Sequence, residues 1–172
     1  MGIETQSVLV RAARPEDDAA IGELLVEGYL TAYAQKMPEV VLGDRRKADL
    51  RDVAGRRPIA TILVGEVDQR IVGTVALFPP GAPGSEAWLP NAADLRHLVT
   101  HPSVQGRGYG KPLLDAAEAI ARDQWKVAAV CLHVRRGNHG VARLYRSRGY
   151  VREPSGDRDT PEVFLEAYAL RF

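Results

Sequence analysis

The chain has little with which to build covalent or metal cross-links. Its 172 residues include one cysteine, Cys131, so no disulfide can form within the chain. A lone thiol fits a reducing compartment, which predicts a cytoplasmic protein. Cys131 lies in the apolar run 127–134, where a thiol usually packs as a small hydrophobe. The four histidines come without a cysteine pair, and we expect no metal site.

The chain also lacks an excess of charge of either sign and a long apolar run. Its 23 basic and 22 acidic residues leave a net charge of +1. This balance argues against broad electrostatic binding to nucleic acid or to an anionic membrane. No segment approaches the roughly 20 apolar residues that span a bilayer. Residues 1–10 lack a basic start followed by an apolar core, so we expect no signal peptide.

What remains is an ordinary composition for one folded domain, with 45% hydrophobic and 26% charged residues. We therefore predict a single domain over residues 1–172. The hydrophobic periodicity predicts strands at 7–11, 59–66, 71–78, 93–100, 127–134 and 162–170, and helices at 15–29, 44–54, 108–125 and 138–147. The proline-rich segment 79–91 is predicted to be a loop. These elements indicate a mixed α/β fold with helices on both faces of the sheet.

The sharpest pattern is a glycine-rich turn between a predicted strand and a predicted helix, with the sequence Gln105-Gly106-Arg107-Gly108-Tyr109-Gly110. Three glycines remove every Cβ that would keep a ligand away from the backbone. The N–H groups at the helix start would point at one place, where the helix dipole favours negative charge. A pyrophosphate fits this description, and Lys111 and Arg107 could add positive charge beside it.

Two other phosphate loops do not fit this segment. The dinucleotide fingerprint G-x-G-x-x-G would require a glycine where Lys111 stands. The P-loop would require a glycine at Gln105 and a serine or threonine at Pro112. Pro112 is tolerated only in the first helical turn, which fixes the start of the helix. Taken alone, the turn could equally be a plain connection between a strand and a helix.

The surrounding residues resemble a known family, the GNAT superfamily of acyl-CoA N-acyltransferases. Its cofactor signature, Q/R-x-x-G-x-G/A after the fourth strand, is matched by residues 105–110. Residues 132–138 resemble its fifth strand and following asparagine, and 142–150 resemble its fourth helix with the pattern L-Y-x-x-x-G-F/Y. The resemblance is specific from Asp94 to Tyr150 and architectural elsewhere. It implies a GNAT-like, mostly antiparallel sheet of six to seven strands flanked by about four helices.

The resemblance also implies roles for individual residues. The pantetheine arm of acetyl-CoA, the implied cosubstrate, would lie along the backbone of the fourth strand, and the pyrophosphate on the amides that follow. Asn138 matches a position that contacts the cofactor, and Tyr145 matches the residue that protonates the departing thiolate. The cofactor-binding residues so implied are Leu98, Val99, Thr100, Gln105, Gly106, Arg107, Gly108, Tyr109, Gly110, Lys111 and Asn138.

Acyl transfer needs these groups for chemical reasons. An alkyl amine with a pKa of about 10.4 must lose a proton before it attacks a thioester. A backbone N–H of Leu98 or Val99 could stabilise the resulting oxyanion. A hydroxyl such as that of Tyr145 can return a proton to the thiolate. For the general base, Asp94 and His133 occupy positions that the family uses, and each could instead be structural, with a water chain in their place.

The leading interpretation is an N-acetyltransferase that acetylates a small-molecule or peptide amine. The alternative from another class is a catalytically silent acyl-CoA-binding sensor on the same fold. Tyr145 favours the enzyme, because a sensor has no use for a general acid. The identity of the amine, the acyl-chain preference and the oligomeric state stay open, although members of the family often form homodimers. A membrane or nucleic-acid partner is not expected.

Overall fold

The computed structural model of the chain describes residues 7–172, so residues 1–6, part of the segment tested for a signal peptide, lie outside the described residues. The helices are α1 (Asp18–Lys36), α2 (Asp44–Arg51), α3 (Val53–Arg56), α4 (Gly110–Ala119) and α5 (His139–Ser147). The strands are β1 (Leu9–Ala12), β2 (Thr61–Val67), β3 (Arg70–Phe78), β4 (Ala92–Thr100), β5 (Ala129–Arg135), β6 (Val151–Arg152), β7 (Arg158–Asp159) and β8 (Phe164–Arg171).

The strands form one mixed sheet in the order β1-β2-β3-β4-β5-β8-β6, with β7 also paired to β8. Strand β1 pairs antiparallel with β2, and β8 pairs antiparallel with β5, β6 and β7. Strands β4 and β5 are parallel. The predicted mixed α/β fold with a mostly antiparallel sheet is therefore confirmed. The described residues hold eight strands and five helices, slightly more than predicted, because β6 and β7 have two residues each and α3 has four.

The chain divides into two compact units, which are described separately. The first takes in the described part of Met1–Ala76 together with His97–Ala117. Its buried residues include Ile21 and Leu25 of α1 and Val64 of β2. The helix approaches β4 closely, since a Cβ on Gly28 would lie 2.3 Å from Val99 Cγ1. Only a glycine permits this contact between the helix and the strand.

The second unit consists of Leu77–Arg96 and Glu118–Phe172. Its central strand is β5, which pairs with β8 along its whole length from Ala129 to Arg135. Strand β5 is almost wholly buried, as its apolar sequence predicts for a strand covered on both faces. Its pairing with β4 is short and covers only Ala92, Ala93 and Asp94, although β4 runs on to Thr100.

Several element boundaries differ from the predicted ones for local reasons. The predicted second helix, 44–54, is broken at Asp52, whose side chain accepts a hydrogen bond from Gly55 N and starts α3. The predicted helix 108–125 begins at Gly110 and continues as a π-helical turn over Ile120–Gln124. The β2–β3 hairpin turns through Asp68 and Gln69, both with positive φ, without the glycine usual in such turns.

Among the described residues, no helix combines the length and the apolar composition that a membrane crossing requires.

Candidate functional site

The end of β4 lies in the first unit and carries Leu98, Val99 and Thr100. His97, just before them, has a φ of 58°, which is unusual for a residue with a side chain. The strand is therefore kinked at the point where the predicted cofactor-binding segment begins. Val99 is buried against α1, while Leu98 and Thr100 are partly exposed. The β4 ladder with β5 has already ended at Asp94.

A 3₁₀ turn, Pro102–Val104, connects β4 to the glycine-rich loop. The amide of Gln105 donates to the Pro102 carbonyl at 3.5 Å, and that of Arg107 donates to the Val104 carbonyl at 3.3 Å. These two amides are therefore engaged within the chain. Within residues 7–172 the amides of Gly106 and Gly108 donate to no backbone carbonyl. Of the predicted run 106–111, the Arg107 amide is therefore the one that the loop itself engages among the described residues.

The three glycines of the loop have different reasons to be glycine. Gly106 and Gly108 have φ values of 81° and 79°, a region that side chains rarely adopt. Gly110 has no such conformation, and a Cβ built on it would meet nothing within 4 Å. Neither backbone strain nor crowding by the chain therefore explains a glycine at the start of α4. Close approach of a ligand to the helix N-terminus would account for it.

The side chains around the loop differ in their environments. Arg107 and Lys111 are exposed, and Lys111 Nζ lies 3.1 Å from Asp115 Oδ2. Tyr109 is buried, so its side chain belongs to the core and only its backbone is available to a ligand. Leu113, in the first turn of α4, is fully buried and holds the helix onto the sheet beside Gly73.

Asp94, the first candidate base, lies in the second unit and is almost completely buried. Its Oδ2 accepts hydrogen bonds from Glu86 N at 2.8 Å, Arg96 Nε at 2.9 Å and Arg96 Nη2 at 2.5 Å. Burial raises the pKa of the Asp94 carboxyl, and the Arg96 charge opposes that rise. Because Arg96 also donates to the Gly84 carbonyl, the pair fastens the loop between β3 and β4 to the strand.

His133, the second candidate base, lies on β5 with 6% of its side chain exposed. Its Nε2 is 2.8 Å from the Gly156 carbonyl, which can only accept, so the proton is on Nε2. The lone pair of the neutral ring is then on Nδ1, which lies 3.7 Å from Glu86 Oε2. The Trp88 ring packs edge-on against the imidazole with centroids 5.3 Å apart. A Cβ on Gly156 would lie 2.2 Å from this indole, so residue 156 must be glycine.

Asn138 precedes α5, also in the second unit, and its side chain makes no capping hydrogen bond. Its Oδ1 is buried and has no hydrogen-bond partner within residues 7–172. A buried acceptor without a donor is costly, since desolvation is not compensated. The atom is therefore suited to accept a hydrogen bond from a bound molecule.

Tyr145 lies on α5 and is 5% exposed. Its ring packs edge-on against Tyr150, with centroids 5.4 Å apart. Behind this pair, Arg148 and Glu118 form a two-pronged ion pair with distances of 3.0 and 2.5 Å. Burial, followed by the charge of Glu118, raises the pKa of the Tyr150 hydroxyl. Tyr150 is thus held in its protonated form at neutral pH beside Tyr145.

The structure places the predicted residues in two groups. The first unit contains the end of β4 and the loop, with the residues Leu98, Val99, Thr100, Gln105, Gly106, Arg107, Gly108, Tyr109, Gly110 and Lys111. The second unit contains Asp94, His133, Asn138 and Tyr145. Within that unit Asp94 and His133 are linked through Glu86, whose amide faces one and whose carboxylate faces the other.

Two residues with contacts in these groups were not predicted as site residues. Glu86 lies in the proline-rich loop, and its sequence context gives no sign that it reaches His133. His101 follows β4, and its Nδ1 accepts a hydrogen bond from the amide of Ser103. This contact could have been predicted from the sequence, since a polar residue before proline often caps a turn. His97 and His101 are four residues apart, a spacing that binds metals on helices, but they lie on a strand and its exit. Among the described residues no three histidine, cysteine or acidic side chains form a metal-ligand group.

The sequence profile of the Acetyltransferase (GNAT) family matches residues 19–150, which is more than half of the chain. No match was found among curated proteins.

Solved structures share the fold over nearly the whole chain. The PaiA N-acetyltransferase of Thermoplasma acidophilum, in complex with coenzyme A, is 18% identical, with a TM-score of 0.71 over 96% of this chain and 99% of that one. YncA of Salmonella typhimurium, a putative acetyltransferase with acetyl-CoA, is 20% identical, with a TM-score of 0.67 over 96% and 94%. Spermidine N-acetyltransferase of Vibrio cholerae, in complex with CoA and spermine, is 18% identical, with a TM-score of 0.65 over 95% of each chain. At these identities the likeness establishes the predicted GNAT-like fold.

Proposed function

The chain belongs to the GNAT acetyltransferase family, and we propose that it transfers an acetyl group from acetyl-CoA to a primary amine, with Tyr145 as the general acid. Acetyl-CoA is the cosubstrate of this family. The observation that carries the proposal is Gly110, whose missing Cβ the chain itself does not explain. The open space there supports the binding of a phosphate group at the N-terminus of α4, where free N–H groups and the helix dipole favour an anion.

Two groups of residues would hold the cosubstrate. The amides of Gly106, Gly108 and Gly110 would receive the pyrophosphate, with Arg107 and Lys111 supplying positive charge at the exposed rim. Because the Arg107 amide already donates to Val104, we leave it out of the phosphate contacts. In the first unit the backbone of Leu98–Thr100 suits the amide groups of a pantetheine arm. In the second unit Asn138 Oδ1, which has no hydrogen-bond partner within residues 7–172, suits a donor on a bound molecule. When bound, acetyl-CoA supplies the thioester whose carbonyl carbon accepts the amine.

Tyr145 would donate its hydroxyl proton to the departing thiolate sulfur. A thiol has a pKa of about 8.5, so its thiolate is a modest leaving group that benefits from a proton donor. The tyrosine is suited to this task because it is buried and its ring is fixed by Tyr150. A fixed donor loses little freedom when the reaction takes place.

Of the two candidate bases, the contacts favour His133. Its Nε2 proton is committed to the Gly156 carbonyl, which leaves the Nδ1 lone pair as the only proton acceptor of the ring. The carboxylate of Glu86, 3.7 Å from Nδ1, would stabilise the ring once it is charged. Asp94 Oδ2 already accepts three hydrogen bonds, so it is better suited to hold the loop that carries Glu86. With little of His133 exposed, the proton would travel from the amine through water.

The proposed acceptor class is a small-molecule or peptide amine. The likeness to the spermidine N-acetyltransferase of Vibrio cholerae makes polyamines a suitable first member of an acceptor panel. The cytoplasmic location, the single domain and a homodimeric assembly stay predictions.

One pH–rate experiment tests the proposal. Wild type, Tyr145→Phe and His133→Gln are compared for thiol release from acetyl-CoA with the best amine of the panel. We expect Tyr145→Phe to lower kcat about 100-fold, the usual contribution of a positioned acid, with CoA affinity unchanged. His133→Gln, which can still donate to Gly156, should remove the acidic limb of the profile. Tyr150→Phe is the matched control, since it removes a neighbouring hydroxyl and keeps the ring contact.

The outcomes test the acid role, the base role and the sensor alternative separately. Wild-type turnover in Tyr145→Phe would refute the acid role, and an unchanged acidic limb in His133→Gln would refute the base. If the wild type binds CoA tightly but no amine of the panel leads to thiol release, the alternative of an acyl-CoA sensor is correct.

A further inference from the structure

We propose that His101 is a positioning residue for the cofactor loop: its neutral imidazole caps the turn that leads into the loop, so CoA binding weakens when the ring takes up a proton. The inference rests on the proposed role of residues 106–110 in holding the pyrophosphate. It places a histidine beside the loop 105–110, which itself contains none.

The contacts of His101 fix which ring nitrogen carries the proton. Nδ1 accepts a hydrogen bond from the backbone N–H of Ser103 at 3.1 Å and lies 2.7 Å from Ser103 Oγ. A backbone N–H can only donate, so Nδ1 must be the unprotonated nitrogen. The ring proton is then on Nε2, which lies 3.3 Å from Glu27 Oε2 on α1.

The capped turn is joined to the loop by successive hydrogen bonds. The His101 amide donates to the Val72 carbonyl of β3 at 2.7 Å, which anchors the residue to the sheet. The Val104 amide donates to the His101 carbonyl at 2.9 Å, and the Arg107 amide donates to the Val104 carbonyl at 3.3 Å. The turn therefore fixes the backbone on both sides of Gly106, which has left-handed φ.

Protonation of His101 would reverse the character of Nδ1. A charged imidazole presents N–H groups on both sides, so Nδ1–H would face the N–H of Ser103 and the cap would be lost. The charged group facing the ring is Glu27 from α1, while β3 faces the residue through the Val72 carbonyl. Glu27 favours the charged ring and the cap favours the neutral ring. Since 57% of the Glu27 side chain is exposed, solvent screens its attraction for the ring.

The test measures CoA affinity by calorimetry from about pH 5.5 to pH 8, the range in which histidines titrate. It compares the wild type with His101→Asn, which keeps a capping acceptor that does not titrate. The control is His139→Asn, which alters an exposed histidine of α5 and leaves the turn intact. Ionisation of the CoA phosphates is common to all three proteins, so only differences between them report on His101.

We expect the wild type and His139→Asn to lose about fivefold more affinity on acidification than His101→Asn, which corresponds to about 1 kcal/mol for one cap. His101→Ala should raise the KM for acetyl-CoA at every pH and leave kcat at saturation unchanged. Equal pH dependence in the wild type and His101→Asn would overturn the inference while leaving the proposed function intact. If the wild type does not bind CoA at pH 8, the proposed function fails and this inference fails with it.

Discussion

Replacing Gly110 by alanine should separate folding from cofactor binding. A Cβ at this position meets no atom of the chain within 4 Å, and α4 begins there without left-handed φ. Alanine is the better helix former, so we expect the free energy of unfolding to stay unchanged or rise by about 0.5 kcal/mol. CoA affinity should nevertheless fall, because the new methyl group would occupy the space through which a phosphate reaches the helix N-terminus.

The size of that loss follows from the contacts at stake. One hydrogen bond to a charged group contributes about 1.5–3 kcal/mol, so losing a single amide–phosphate contact weakens CoA binding about 10- to 150-fold. Calorimetry with CoA and thermal unfolding of the free protein measure the two effects. Gly43→Ala is the matched control, since that glycine also has open space around it but starts α2. Full CoA affinity in Gly110→Ala would refute the assignment of this loop.

Two further predictions concern stability in the second unit. Arg152 lowers the pKa of Asp157, so the carboxylate stabilises the fold above its unfolded-state pKa and that contribution is lost as the pH falls through the folded-state pKa. Asp157→Asn should therefore cost about 2 kcal/mol at pH 7 and give a shallower decline in acid, measured by urea unfolding at several pH values. Glu118→Gln should cost about 3 kcal/mol by urea unfolding, because the partly buried Arg148 loses its anionic partner. As a control, Glu23→Gln removes an exposed ion pair and should lower the free energy of unfolding by less than about 1 kcal/mol. Equal losses in Glu118→Gln and Glu23→Gln would contradict the argument from burial.

The order of the longer elements and the position of the loop were predictable from the sequence. An apolar run predicts strand β5, and Gly108 and Pro112 indicate that α4 starts between them. These signals are local, since each depends on residues close together in the chain. The two-residue strands β6 and β7 carry no such signal, because they exist only through pairing with β8.

The reasons for individual glycines were only partly predictable. The sequence motif treats Gly106, Gly108 and Gly110 alike, as positions where a side chain would obstruct a ligand. The backbone shows that the first two are also required by left-handed φ. A backbone angle depends on how the turn before the loop is hydrogen-bonded, and sequence spacing does not reveal those bonds.

The candidate bases illustrate what sequence reasoning leaves undetermined. Asp94 and His133 look like rival bases because each occupies a position on a neighbouring strand. Their contacts make them parts of one cluster, in which Asp94 holds the backbone of Glu86 and the Glu86 carboxylate faces Nδ1 of His133. A substitution at Asp94 would therefore displace Glu86 and alter the titration that depends on His133. A changed pH profile in an Asp94 variant thus does not identify Asp94 as the base, whereas His133→Gln removes the lone pair itself and keeps the bond to Gly156.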